Sequence, residues 1–256
     1  MRSSAEGAVV ALDGISTREL ETQLGLPRVD LYASVSSTLD VAHAVAADAP
    51  SGTLIVADEQ TSGRGRHGRR WASPPGAGLW LTLIERPTDA RALDVLALRC
   101  GLFAAEALDA LAPAPIGVKW PNDLQVRGAK LAGILIETRW RGTRPEWVAI
   151  GFGLNVAAPA LDGAVGLVPG TTRLGALARL VPALRRAAAA TRHLSADELA
   201  RWNARDVAVD RRCIEPVEGR VAGIDSAGEL LVARDDGSTT SHRTGSLTFA
   251  EPPACS

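Results

Sequence analysis

Runs of apolar residues divide the chain into short extended stretches and longer helical ones. Residues 30–35 and 53–58 read as strands, the second β-branched and apolar enough to be buried, and residues 79–85 read as a further strand. Between the first two, Ser36-Ser37-Thr38 supplies hydroxyls that could cap a helix over 39–49, which Pro50-Ser51-Gly52 ends. The Ala/Leu-rich stretch 91–111 predicts one helix closed by Pro113 and Pro115, followed by a short strand at 116–119. Residues 124–126 and 131–140, joined through Arg127-Gly128-Ala129, predict a hairpin, with another strand at 147–154. Helices follow near 175–190 and 195–205. From Asp206 short strands alternate with glycine turns, around Gly219-Arg220-Val221, Gly223-Ile224-Asp225 and Gly228-Glu229-Leu230-Leu231-Val232, the pattern of a small β-barrel. Strands and helices mix without strict βαβ order, so the expected fold is α+β, a mixed or mainly antiparallel sheet with flanking helices. Three segments are expected: a leader over 1–28 with a short helix near 17–24, a main domain over 29–205, and a barrel domain over 206–256.

Charge changes this picture only locally. With 28 Lys and Arg against 29 Asp and Glu, the net charge of −1 speaks against whole-surface attraction to nucleic acid. Cys100, Cys213 and Cys255 lie far apart without a C-x-x-C, and the four histidines lack H-E-x-x-H spacing, so no metal site is expected. No apolar run is long enough to span a bilayer and no signal peptide is visible at the N-terminus; the expectation is a soluble, cytoplasmic protein.

The local exception is Gly63-Arg64-Gly65-Arg66-His67-Gly68, followed by Arg69, Arg70 and Trp71. Glycines let backbone N–H groups approach a ligand, and four arginines in seven positions concentrate planar donors suited to phosphate or carboxylate. The literal G-x-G-x-x-G does not read as a dinucleotide fingerprint, because Pro74, Pro75, Gly76 and Gly78 follow where a helix would have to begin. A solvated basic loop is the plain alternative. Against it stands a second motif, Lys119-Trp120-Pro121-Asn122-Asp123, with Lys130-Leu131-Ala132-Gly133-Ile134-Leu135-Ile136-Glu137 seven residues on. Two lysines, an amide and a carboxylate within one hairpin's reach suit a small polar substrate beside an anion.

These stretches, with Ser37-Thr38, Gln60 and Gly151-Phe152-Gly153-Leu154-Asn155, resemble the bacterial biotin–protein ligases over roughly residues 30–250. The resemblance implies a class II synthetase-like catalytic domain with a small C-terminal SH3-like barrel. It implies activation of biotin by ATP and Mg²⁺ to biotinyl-5′-AMP, then transfer to a lysine of a biotin carboxyl carrier domain of an acyl-CoA carboxylase. Position by position, Ser37, Thr38, Gln60, Arg64, Gly65, Arg66, Trp71, Lys130 and Gly133 are expected to contact biotin. Arg66, Trp71, Lys119, Asn122, Asp123 and Asn155 are expected on the nucleotide side, with Arg66, Lys119 and Lys130 carrying the catalysis; Asn155 read alone is a turn residue capping a strand. Two departures stand out. Leu39 follows Ser37-Thr38 where the family usually has Asn, and Gly245 is followed by Ser246 where relatives often carry an acid. Three other readings stay open: a lipoyl or octanoyl ligase or transferase, a biotin-responsive repressor, and a non-catalytic binding module. About 28 residues precede the catalytic region, too few for a winged helix, so specific operator binding is not expected. Monomer and homodimer are both compatible with the chain.

Overall fold

The computed structural model describes residues 11–250; Cys255 and the extreme ends of the expected first and last segments lie outside them. Strands β1 (Ala11–Leu12) and β2 (Ile15–Ser16) form a small hairpin leading into helix α1 (Thr17–Leu24). A capping box between Ser16 and Glu19 starts α1, and Gly25, at φ 61°, ends it. Then follow β3 (Arg28–Val35), α2 (Thr38–Val45), β4 (Thr53–Gln60), β5 (Gly78–Glu85), α3 (Ala90–Asp94) and α4 (Leu96–Leu108). Strands β6 (Gly117–Lys119), β7 (Asp123–Val126), β8 (Ala129–Arg141) and β9 (Arg144–Asn155) precede α5 (Arg173–Ala189) and α6 (Ala196–Asn203). The chain closes with β10 (Arg212–Glu215), β11 (Gly219–Ile224), β12 (Leu230–Ala233), β13 (Thr239–His242) and β14 (Thr248–Phe249).

Seven strands make one mixed sheet in the order β3-β4-β5-β9-β8-β7-β6, parallel only between β3 and β4. The last five make a separate antiparallel sheet, β13-β12-β11-β10-β14, which agrees with the expected SH3-like barrel. Period-two alternation decides what each face of the large sheet carries. On β9, Val148, Ile150, Phe152 and Leu154 face the main core with α4 and α5. The residues between them, Ala149, Gly151 and Gly153, face the opposite way, where α2 packs through Leu39 and Ala42 onto Ile55, Ile84 and Ala149. Small residues leave that second face thinly covered, which opens a trough beside α2.

One expected element differs. The helix expected over 91–111 is broken at Val95 (φ −112°, ψ 5°) into α3 and α4, with a 3₁₀ turn at Asp109–Leu111. Val95 is fully buried, and a Cβ placed on Gly228 of the small sheet would lie 3.0 Å from its Cγ1. A β-branched side chain packed this tightly between elements has little helical preference to hold it in line, so tertiary packing sets the break. The helix expected over 39–49 is also shorter, ending at Val45.

Candidate functional site

The trough is a cavity of about 320 Å³ lined by α2, the loop after β4, the β6–β7 turn, β8, β9 and the end of the small sheet. Six Lys and Arg side chains line it (Arg64, Arg66, Arg69, Arg70, Lys119 and Lys130) against one carboxylate, Asp123. In a chain of net charge −1 such a concentration defines a place for an anion.

The glycine loop is an ordered hairpin. Its neck is closed by pairing of Gln60 with Ser73, and Arg64 pairs with Arg70 further out. Trp71 N–H donates to Gly63 O at 2.9 Å, and a Cβ on Gly63 would lie 2.4 Å from Trp71 O. Glycine at 63 therefore serves the loop's own closure as well as any ligand. A 3₁₀ turn over Arg66–Gly68 replaces the helix a dinucleotide site would need. Arg64 is held by Asp40 of α2 at 3.1 Å and Glu137 of β8 at 3.3 Å, and Glu137 also meets His43 Nε2 at 2.5 Å.

The polar end of the cavity is pre-bonded. Gln60 Oε1 accepts from Thr38 N at 2.9 Å and Thr38 Oγ1 at 3.2 Å, while its amide nitrogen donates to Ser73 Oγ at 2.8 Å. Thr82 Oγ1 donates to Thr38 Oγ1 at 2.8 Å, and Ser37, the N-cap of α2, accepts from Leu39 N. Such locked rotamers present fixed donors and acceptors to a small ligand. Leu39 lies against the floor: a Cβ on Gly151 would come within 3.0 Å of its Cδ1.

At the charged end Lys130 Nζ pairs with Asp123 Oδ1 at 2.8 Å and lies 5.1 Å from the Trp71 ring centroid. Trp71 rests on bare backbone: a Cβ on Gly153 would meet its ring at 2.6 Å and one on Gly133 at 3.0 Å. Its indole N–H is buried against Gly153 without a partner among the described residues. Burial, the larger cause, and repulsion from Lys130, Arg211 and Arg69 lower the Lys119 pKa against the pull of Asp123. Burial likewise lowers Arg66, with Asp123 opposing and Arg69 adding. Both cations are held at a cost that an incoming anion would relieve.

Twelve of the thirteen expected site residues line this one cavity; Asn155 does not. Its amide donates to Lys130 O at 3.3 Å and Val165 O at 3.2 Å, so it fixes the strand carrying Lys130 from behind. Asn122 lines the wall, but its amide nitrogen is spent on Ile134 O at 2.7 Å. Sequence reasoning missed the far wall, Ser246 to Phe249, where Lys119 Nζ sits 4.9 Å from the Phe249 ring centroid. It named Gly151 and Gly153 within a motif but gave them no place in the site, although two glycines at a strand's period were a readable signal of a bare floor. Trp120 ties the two walls together through Nε1–H donation to Gly228 O at 3.1 Å. Among the described residues no group of three or more His, Cys, Asp or Glu side chains gathers to hold a metal, and no helix is long and apolar enough to cross a membrane.

This fold and cavity define a class. Residues 31–155 match the sequence model of the Biotin/lipoate A/B protein ligase family. The chain is 42% identical over 124 residues to the bifunctional ligase/repressor BirA of Bacillus spizizenii, covering 48% of this chain and 38% of that protein. It is 36% identical over 160 residues to the biotin–[acetyl-CoA-carboxylase] ligase of Mycobacterium tuberculosis, covering 60% of this chain and 55% of that one. The chain thus spans about two-fifths to just over half the length of these relatives. Among solved structures it matches the biotin protein ligase of Aquifex aeolicus in complex with biotin and ATP, with a TM-score of 0.72, 22% identity, and coverage of 88% of this chain and all of that one.

Proposed function

We propose that this chain is a biotin–protein ligase: it activates biotin with ATP to biotinyl-5′-AMP and transfers the biotinyl group to a lysine of a biotin carboxyl carrier domain. The observation that carries the reading is one cavity with a pre-bonded polar end at Thr38 and Gln60 and an uncompensated cationic end at Arg66 and Lys119. A neutral ring with a carboxylate tail fits the first end, and a nucleotide's phosphates fit the second. In the first step a biotin carboxylate oxygen forms a bond to the α-phosphorus, and the electrons of the broken bond leave on pyrophosphate. Two anions must meet, so fixed cations at the junction, Lys130 and Arg66, lower the barrier. Lys119 takes the phosphate chain, and Trp71 offers a wall over the adenylate. In the second step the carrier amine attacks the mixed anhydride carbonyl and AMP departs. The hairpin loop over the cavity keeps water from the anhydride. Asp123, half engaged by Lys130, would offer a carboxylate oxygen to Mg²⁺ brought in with the nucleotide, and the ion would supply neutralisation of phosphate charge. In this reading residues 29–205 form the catalytic unit, and 206–256 form a second unit that completes the nucleotide end through Ser246 to Phe249. A cytoplasmic location belongs to the same proposal, supported by the need for ATP and a carrier domain.

The test is incubation with Mg²⁺ATP and a carrier domain, in the presence of biotin, lipoate or octanoate, followed by intact mass. Expected is the mass increment of biotin on one lysine. An increment from lipoate or octanoate alone would move the assignment to the lipoyl branch of the same family.

A further inference from the structure

The arginines that open the small sheet are used unequally. Arg205 is spent on Asp109 at 2.6 Å and Arg212 on Asp235 at 2.5 Å. Between them Arg211 has no carboxylate partner among the described residues. Its guanidinium instead stacks on Phe249, with Cζ 3.4 Å from the ring centroid, and this is the ring over which Lys119 Nζ sits. Phe249 lines the cavity. The root of Arg211 is rigid: its N–H donates to Ala208 O and its carbonyl accepts from Val221 N–H, both at 3.0 Å. An aromatic face fixes the plane of a guanidinium while leaving its edge N–H groups unspent. Two cations sharing one ring repel each other, and Arg211 contributes to the lowered pKa of Lys119. Ring stacking alone is a modest return for that repulsion, whereas a polyanion touching both removes it.

We propose that Arg211, delivered from the small sheet, grips the β- and γ-phosphates of the nucleotide and so holds the departing pyrophosphate. The inference rests on the ligase reading above. It assigns the C-terminal sheet a part in the first chemical step, in which the leaving group takes up the electrons of the broken α,β-phosphoanhydride bond. The carrier-lysine step, which expels AMP, involves no β- or γ-phosphate and is indifferent to Arg211.

Two measurements test it. In biotin-dependent ATP–pyrophosphate exchange, R211A raises the KM for both ATP and pyrophosphate about ten- to thirtyfold, as for loss of charge-assisted hydrogen bonds. R211K recovers part of the loss, having the charge but not the fork. Transfer from preformed biotinyl-AMP to the carrier keeps the parent rate in both variants; a merely structural role would depress both half-reactions and the melting temperature. Independently of turnover, inorganic pyrophosphate raises the melting temperature of the parent and not of R211A. No exchange in the parent, with a pyrophosphate shift that still depends on Arg211, would strike the ligase reading and leave this anion site standing. Equal pyrophosphate shifts, or an unchanged KM for pyrophosphate in R211A, would overturn the inference.

Discussion

Arg99 and Lys119 are both cations withdrawn from water, and their surroundings are opposite. Arg99 is 1% exposed; its Nε meets Glu198 Oε1 at 2.7 Å, and Nη2 meets Glu198 Oε2 at 3.1 Å and His193 O at 2.9 Å. Burial opposes the Glu198 carboxylate, but Arg99 and the Ser195 N–H outweigh it and hold the acid below its ordinary range. There the chain supplies both signs of charge and joins α4 to α6. Around Lys119 it supplies nearly one sign only, and the pKa falls rather than rises. A buried cation paired with a carboxylate of its own chain is architecture, even though Nη1 of Arg99 is left without a partner among the described residues. One that the fold leaves short of counter-charge marks where a ligand's charge belongs.

The comparison breaks most visibly at Lys130. K130A is expected to slow the first half-reaction about 10²- to 10³-fold, the size typical of a lost transition-state donor, while chemical denaturation changes little. A large loss of stability with intact exchange would place Lys130 on the architectural side. The mirror experiment is R99A, which strands Glu198 and is expected to cost about 3–5 kcal/mol in urea denaturation without altering the KM for ATP. A cost below about 1 kcal/mol would mean that this pair holds nothing together.

Two titrations sharpen the contrast with smaller effects. Burial pushes Asp206 up to about 6, with Ala208 N–H and Trp202 pulling the other way. Its folded form binds the proton more tightly than the unfolded chain, so stability is greatest below the ordinary carboxylate pKa. It is lost as pH rises from the ordinary carboxylate range through about 6, on the order of 3 kcal/mol. D206N should flatten the change in melting temperature between pH 4 and pH 7; an unchanged slope would assign it elsewhere. Lys119 has the opposite sign: between its lowered folded pKa and the ordinary lysine value the unfolded chain holds more protons, so stability rises with pH in that window. Cation binding power falls in the same window, and the KM for ATP should worsen by about threefold from below the ordinary lysine range upward. K119R should move that limb to higher pH, and an identical profile would remove Lys119 from the phosphate path.

Much of this was readable before any coordinates, for specific reasons. Strands such as β4 and β5 announce themselves through continuous β-branched and apolar runs, and α2 through the capping hydroxyls of Ser36-Ser37-Thr38, whereas the capping box of α1 at Ser16 and Glu19 went unread. The convergence of Arg66, Lys119 and Lys130 on one cavity followed from motifs dense in charge and glycine. The α3–α4 break did not, because Val95 answers to Gly228, more than a hundred residues away in sequence. Phe249 and Arg211 were equally silent: a contact between neighbouring strand ends 38 residues apart in sequence, facing Lys119 of the other sheet, leaves no local pattern. Trp71 was expected over a ligand, but its seat on Gly133 and Gly153 depends on which way each strand residue points, and that is set by register.

The neck between Gln60 and Ser73 has a consequence for evolution and engineering. Because the paired ends of the segment 61–72 are stitched to each other and to Thr38, residues inserted at its tip, beside His67 and Gly68, would not pull on the flanking strands. Added reach can therefore be grafted at that tip alone, with Arg64, Arg66 and Trp71 kept where the sheet and α2 hold them.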